Sequence, residues 1–213
     1  MGTGEGLKKQ YIDVKLEGLA DIMFDRFIDH KTDPRPPEQK LYLHDDNIVV
    51  MPADNIFGFL FNEKPQGCAR YFGGKQGKKY TAVGQSHVYI EPMMIPFRDA
   101  DGNPIQLRGK IEDDPRFYTY LRPTIVQKGS MTIRQEARPR PVLRLPWFLE
   151  FRILLLGNDV ISPVQLENWF NDGGIVISLG THRPRFGRFR VVSWDVEKPE
   201  QLAAVKVSRS KKS

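Results

Sequence analysis

Arg183, Arg185, Arg188 and Arg190 crowd into one short stretch late in the chain. Gly180 and Gly187 bracket the first of them, and Phe186 and Phe189 lie between. A guanidinium is a flat, permanently charged fork that matches phosphate and stacks on bases. Aromatic rings among arginines suit stacking on unpaired bases. Glycine lets a backbone approach a ligand closely. The chemistry these types and spacings point to is recognition of a polyanionic strand. Two further basic regions join them: Arg134, Arg138, Arg140 and Arg144, and a glycine-rich stretch with Lys75, Lys78 and Lys79 beside Tyr71, Phe72 and Tyr80. The nucleic-acid-binding set is therefore Arg183, Arg185, Phe186, Arg188, Arg190, Arg138, Arg140, Lys75, Lys78 and Lys79. The plainer reading is that Gly, Pro and Arg are ordinary surface-loop residues.

Other chemistries find little footing. Gly-Gly-Lys-Gln-Gly-Lys-Lys at 73–79 lacks the phosphate-loop spacing, because no Gly-Lys is followed by Ser or Thr. No nucleophile elbow occurs, and no pair of histidines has zinc-ligand spacing. Asp99, Asp101, Gly102 and Asn103 mark a tight turn without the helices and closing Glu of a calcium loop. Asp21, Asp25 and Asp29 recur at i, i+4, i+8 of an expected helix. They would be metal ligands or, as the plainer reading has it, a solvated helix face. No metal and no cofactor is expected.

Composition sets the outer bounds. The chain has 213 residues, 40% hydrophobic and 11% aromatic, enough for one sizeable core. Lys plus Arg is 32 against 26 Asp plus Glu, a net charge of +6, which permits a polyanion partner without requiring one. Cys68 is the single cysteine, so no internal disulfide can form. No apolar leader or membrane-length run is present, and a cytoplasmic setting with no membrane partner is expected.

The elements that must position these residues follow from periodicity. Residues 11–16 alternate as a strand with Ile12, Val14 and Leu16 inward. Residues 19–27 place Leu19, Ile22, Met23 and Phe27 at helical spacing. A charged, proline-rich connector spans 32–40, two short strands flank a turn at 44–47, and a helix follows Pro52 with Ile56, Phe57, Leu60 and Phe61 buried. Residues 65–80 read as a flexible basic loop. Strands are expected at 87–95, 131–134 and 142–145, and a central one at 147–156. Ser162, Pro163 and Gln165 open a helix carrying Leu166, Trp169 and Phe170, which Gly173–Gly174 ends. A last strand covers 188–194, and a basic tail at about 205–213 is expected to be disordered.

This order fits an α+β fold with a ferredoxin-like (RRM-like) βαββαβ core and large insertions between its halves. Residues 14–23, Val-Lys-Leu-Glu-Gly-Leu-Ala-Asp-Ile-Met, and 180–189, Gly-Thr-His-Arg-Pro-Arg-Phe-Gly-Arg-Phe, carry a resemblance to the RAMP superfamily of CRISPR-associated proteins. Within it, the chain looks most similar to backbone subunits that polymerise along guide RNA, and also to phage-encoded relatives. The resemblance implies one domain over 1–213, with a core at about 10–30 and 142–196 and insertions, including a thumb-like hairpin, within 31–140. It implies a non-catalytic subunit that binds single-stranded RNA, assembles with copies of itself, and meets other effector subunits. The first alternative is a metal-independent endoribonuclease using His30 as general base, with Lys31, Tyr42 or His44 as second group. The other is a structural or inhibitory protein that keeps the fold without RNA.

Overall fold

The structure is a computed structural model that describes residues 8–26, 35–128 and 131–201; the side chains of 122–138, 200 and 201 lie outside the description. In chain order the strands and α-helices are β1 (Lys8–Gly18), β2 (Ile22–Met23), β3 (Leu43–His44), β4 (Ile48–Pro52), α1 (Ala53–Phe61), α2 (Cys68–Phe72), α3 (Gly77–His87), β5 (Val88–Glu91), β6 (Met94–Arg98), β7 (Phe117–Lys128), β8 (Met131–Leu143), β9 (Phe148–Leu156), α4 (Pro163–Val176), β10 (Phe189–Val196) and β11 (Glu200–Gln201). The fold is α+β.

Alternation makes the sheet. Ile12, Val14 and Leu16 of β1 and Leu149, Phe151, Ile153 and Leu155 of β9 are buried, while their neighbours face outward. The two strands pair antiparallel from Lys9–Leu156 to Glu17–Phe148. The sheet order is β10-β1-β9-β6-β4-β3, with β5 also on β9 and β11 on β1. β5 and β6 lie in line along one edge of β9: Val88–Glu91 face Leu155–Arg152, and Phe97 and Arg98 face Leu149 and Phe148. Pro92, which has no N–H to give a ladder, stands at the break between them. So β10, β1, β9 and the β5–β6 line are antiparallel neighbours. Helices occur between β1 and β5, and one between β9 and β10.

The helices close over one face through aromatic rings. Phe59 of α1 meets Phe170 of α4 and Phe189 of β10, each at 5.4 Å, and Phe61 meets Trp169 edge-on at 6.1 Å. Each such fully buried ring contributes about 1.5–3 kcal/mol of apolar burial. Val49, Met51, Ile56, Ile95 and Ile105, within the stretch read as insertions, belong to the same cluster as Ile12 and Ile153. A second sheet, β2-β8-β7, is built on a long hairpin and has its own cluster of Met23, Val142 and Phe186.

Four expectations fail. Residues 19–26 are not helical: Leu19 N–H donates to the Arg188 carbonyl, Phe24 N–H to that of Pro141, and Ile22–Met23 pair with Leu143–Val142. Ile22, Met23 and Phe24 are all buried in succession, which no single helical face allows. Residues 65–80 are not an open loop, because α2 puts Cys68 and Ala69 fully inside the core and α3 starts at Gly77. Gly173 and Gly174 do not end α4, which runs on to Val176. A Cβ there would lie 2.5 Å from Cys68 Sγ and 2.6 Å from the Phe189 carbonyl, so these glycines let the helix press against α2 and β10. Residues 131–134 and 142–143 are parts of the single strand β8, which ends at Leu143, rather than two strands. The tail at 205–213 lies outside the described residues.

Candidate nucleic-acid interface

Residues 178–188 form a loop sewn onto the segment after β1. Thr181 N–H donates to the Met23 carbonyl at 2.9 Å, Gly187 N–H to that of Asp21 at 2.8 Å, and Leu179 N–H to that of Gly187 at 3.1 Å. Ser178 Oγ donates to the Phe186 carbonyl at 2.8 Å. A Cβ at Gly180 would stand 2.6 Å from the Met23 carbonyl, so the close backbone approach that glycine permits is made to the chain itself.

The arginines of this loop part company. Arg185 and Arg188 are exposed, and their side chains make no hydrogen bond or ion pair among the described residues. Arg190 is exposed too, but its fork grips Glu17 at 2.6–2.7 Å on the open face of the sheet. Arg183 is half-buried; its hydrogen bond to the Ser178 carbonyl is long, at 3.5 Å, and burial pulls its guanidinium below the ordinary arginine value. Phe186 is 7% exposed and packs edge-on against Tyr120 at 5.4 Å, and Phe189 is 0% exposed. Neither ring can stack on a base, which corrects their assignment. Alternation explains it: Phe189 points inward from β10, Arg190 outward.

The other basic residues also divide. Arg140 is mostly buried and bound through Nε to Asp25 Oδ2 at 2.7 Å, so it is not an open phosphate contact. Asp21 accepts from Tyr118 Oη and Leu145 N–H, each at 3.1 Å, so Asp21 and Asp25 are tied acceptors on an extended segment rather than a solvated helix face. Arg138 pairs with Arg122 along the hairpin, and its side chain lies outside the described residues. Lys75, Lys78 and Lys79 are exposed around the start of α3 with no partner among the described residues. Tyr71 and Phe72 beside them are exposed and meet edge-on at 4.9 Å. His30, Lys31 and Asp29 lie outside the described residues. Among the described residues no three His, Cys, Asp or Glu side chains group to hold a metal ion.

The open face of the sheet carries a different pattern. Asp13 takes both prongs of Arg152 at 2.8 Å, Arg152 also reaches Glu197 at 3.0 Å, and Lys15 pairs with Glu150 at 2.8 Å. The Arg152 hydrogen bond holds the Asp13 carboxyl below its usual range. Arg152 and Lys15 lie over the Tyr11 and Phe148 rings at 5.1 and 5.5 Å. The cations named here are matched by carboxylates and the Tyr11 and Phe148 rings are covered, while Tyr89 of β5 stays exposed on this face.

A polar cavity of about 160 Å³ opens beside the loop, between residues 23–25, α1 and residues 179–183. Asp25, Asn55, Asn62, Thr181 and Arg183 line it. The sequence reading missed Asn55 and Asn62. Their signal was there: Asn55, Gly58 and Asn62 recur at helical spacing along the side of α1 away from Ile56 and Leu60.

No protein-family model matches the chain, and no curated protein matches it. Among solved structures, the fold is similar to a chain in the cryo-EM structure of the Type III-B Cmr-beta bound to cognate target RNA. The TM-score is 0.50 at 14% identity, over 90% of this chain and 61% of that one. The likeness is one of fold. The chain spans less than two thirds of the length of the protein it resembles. Among the described residues no helix is long and apolar enough to cross a membrane.

Proposed function

We propose that the chain is a non-catalytic subunit that binds single-stranded RNA and assembles beside copies of itself or other effector subunits. The observation that carries this is a division of charge. Cations on the open sheet face are matched by carboxylates, whereas Arg185, Arg188, Lys75, Lys78 and Lys79 are exposed without any partner among the described residues. Matched surface pairs give little attraction for a polyanion, while unmatched cations release counterions from a strand. The order β10-β1-β9-β5, with helices in the two crossovers, supports a ferredoxin-like core, and the hairpin of β7 and β8 supports a thumb-like arm. The structural neighbour is a chain of a Cmr-beta structure bound to cognate target RNA, which favours RNA as the strand.

The test is binding of a labelled single-stranded RNA over a salt series. Arg185→Ala with Arg188→Ala should weaken every sequence alike and lower the salt slope by about two, one per lost phosphate contact. Replacing Lys75, Lys78 and Lys79 with Ala should lower it further if the strand crosses both regions. Light scattering with and without RNA reads assembly. A wild-type protein with no measurable affinity at low salt sinks the reading and leaves an interaction protein that keeps the fold.

A further inference from the structure

We propose that the polar cavity beside the 178–188 loop is a pocket for one unpaired guanine base, an inference that rests on the strand-binding reading above. At about 160 Å³ the cavity holds roughly five waters' worth of space and falls below the roughly 300 Å³ of a drug-sized site. It admits a single ring system and excludes a whole nucleotide, whose sugar and phosphate would stay outside.

Its polar groups are short of partners. Arg183 brings a half-buried fork whose one hydrogen bond is the 3.5 Å contact to the Ser178 carbonyl. Partial burial removes some of its water and leaves donors of the fork open toward the cavity. The Asn55 amide donates only to the Met51 thioether sulfur at 3.3 Å, a weak acceptor. The Asn62 side chain makes no hydrogen bond among the described residues. Phe24 and Phe59 supply apolar wall.

Charge decides between ligand classes. Asp25 and Asp54 line the same cavity as Arg183. A phosphate inside would face Asp54 and the Arg140-paired Asp25 against the one guanidinium of Arg183, and like charges at close quarters in a water-poor site are unfavourable. A neutral ring with an acceptor edge and a donor edge meets both signs. Guanine is the base that presents O6 and N7 together to an arginine fork, while its amino group can donate to a carboxylate or an Asn oxygen. Arg185 and Arg188, exposed on the same loop, would then hold the flanking phosphates, with the base specifying and the backbone positioning.

The experiment compares binding of the whole chain to a short oligouridine and to the same strand with one central guanine, adenine or cytosine, by fluorescence anisotropy, and titrates guanosine alone by saturation-transfer NMR. The guanine strand should bind roughly tenfold tighter, in line with one good bidentate base contact. Arg183→Lys keeps the charge and loses the fork, so it should erase the preference for the guanine strand over oligouridine. Asn62→Ala alters an exposed side chain and should reduce the preference even if the Arg183 variant fails to fold. Equal binding of both strands with no saturable guanosine signal overturns the pocket and leaves strand binding standing. Saturable guanosine binding that Asn62→Ala weakens, in a protein that binds neither strand, keeps the pocket and overturns the strand reading. A preference for adenine or a pyrimidine overturns the guanine assignment, and silence in every arm overturns both.

Discussion

Residues 178–188 and residues 67–79 look alike as text: both combine glycines and basic residues with aromatic side chains, Phe186 in the first and Tyr71 and Phe72 in the second. They are built in opposite ways. The first is a true loop whose backbone donors are spent on Asp21 and Met23, and whose Gly187 sits at φ +72°. The second is α2, a turn and the start of α3, with Gly73, and further along α3 Gly84, packed where a side chain would not fit. Only Gly74, at φ +50° with open space around it, uses the backbone freedom of glycine there. The residue type is the same; one segment uses its unusual φ and the other its missing Cβ.

The largest expected effect tests the first half of that contrast. Alanine at Gly187 would be forced into the left-handed region, costing about 1–2 kcal/mol. Its Cβ would also collide with the Leu179 carbonyl oxygen, a backbone atom that cannot rotate away. Together the loss should be about 3 kcal/mol. For a chain of this size that is a fall of roughly 6–12 °C in Tm. A Gly187→Ala protein that melts with the wild type would show that the loop is not pinned as described.

How far the two segments were legible follows from the range of the forces involved. The strands β1 and β9 and the start of α4 were readable, because alternation and the Ser162 cap, whose Oγ accepts from Gln165 N–H at 3.1 Å, act within a few residues. Residues 19–26 misled because Leu19, Ile22 and Met23 fit a helical stripe, while the partners that hold them extended, Arg188 and Pro141, lie far along the chain. The presence of arginines at 183–190 was legible; their environments were not. Which ring is buried depends on the register of β10 against β1, and whether Arg140 is open depends on Asp25 arriving from another element. The pair Asn55 and Asn62 was visible as spacing but meant nothing until residues 179–183 closed over it.

The second prediction concerns glycine as missing bulk. A Cβ at Gly84 would run into the Phe61 ring, which is fully buried against Trp169. Alanine gains about 1 kcal/mol in helix propensity over glycine. Overpacking a tight core costs typically 1–3 kcal/mol, here at the top of the range because the ring has no free side to move to. The net loss from Gly84→Ala should be about 2 kcal/mol, read from the urea midpoint. A stabilised variant would mean that α3 slides freely, and the segment would be the adaptable loop that its composition suggests.

The smallest effect separates the two uses of glycine at positions of similar φ. Gly74 is left-handed like Gly187 but has nothing within 4 Å of a built Cβ. Alanine there should cost only the backbone term, about 1 kcal/mol. Asparagine tolerates the left-handed region because its short amide can bond to the local backbone, so Gly74→Asn should recover about half of that. At Gly187 the same asparagine should recover nothing, since its Cβ meets the Leu179 carbonyl as alanine's does. The four variants form a square in denaturant midpoint: Ala and Asn differ at 74 and coincide at 187. If Asn rescues both, the collision at Leu179 is relieved by a small backbone shift and strain alone explains the loop. If it rescues neither, the turn at Gly74 is closed by contacts beyond its φ, and the lysines around it are held more rigidly than an open turn would hold them.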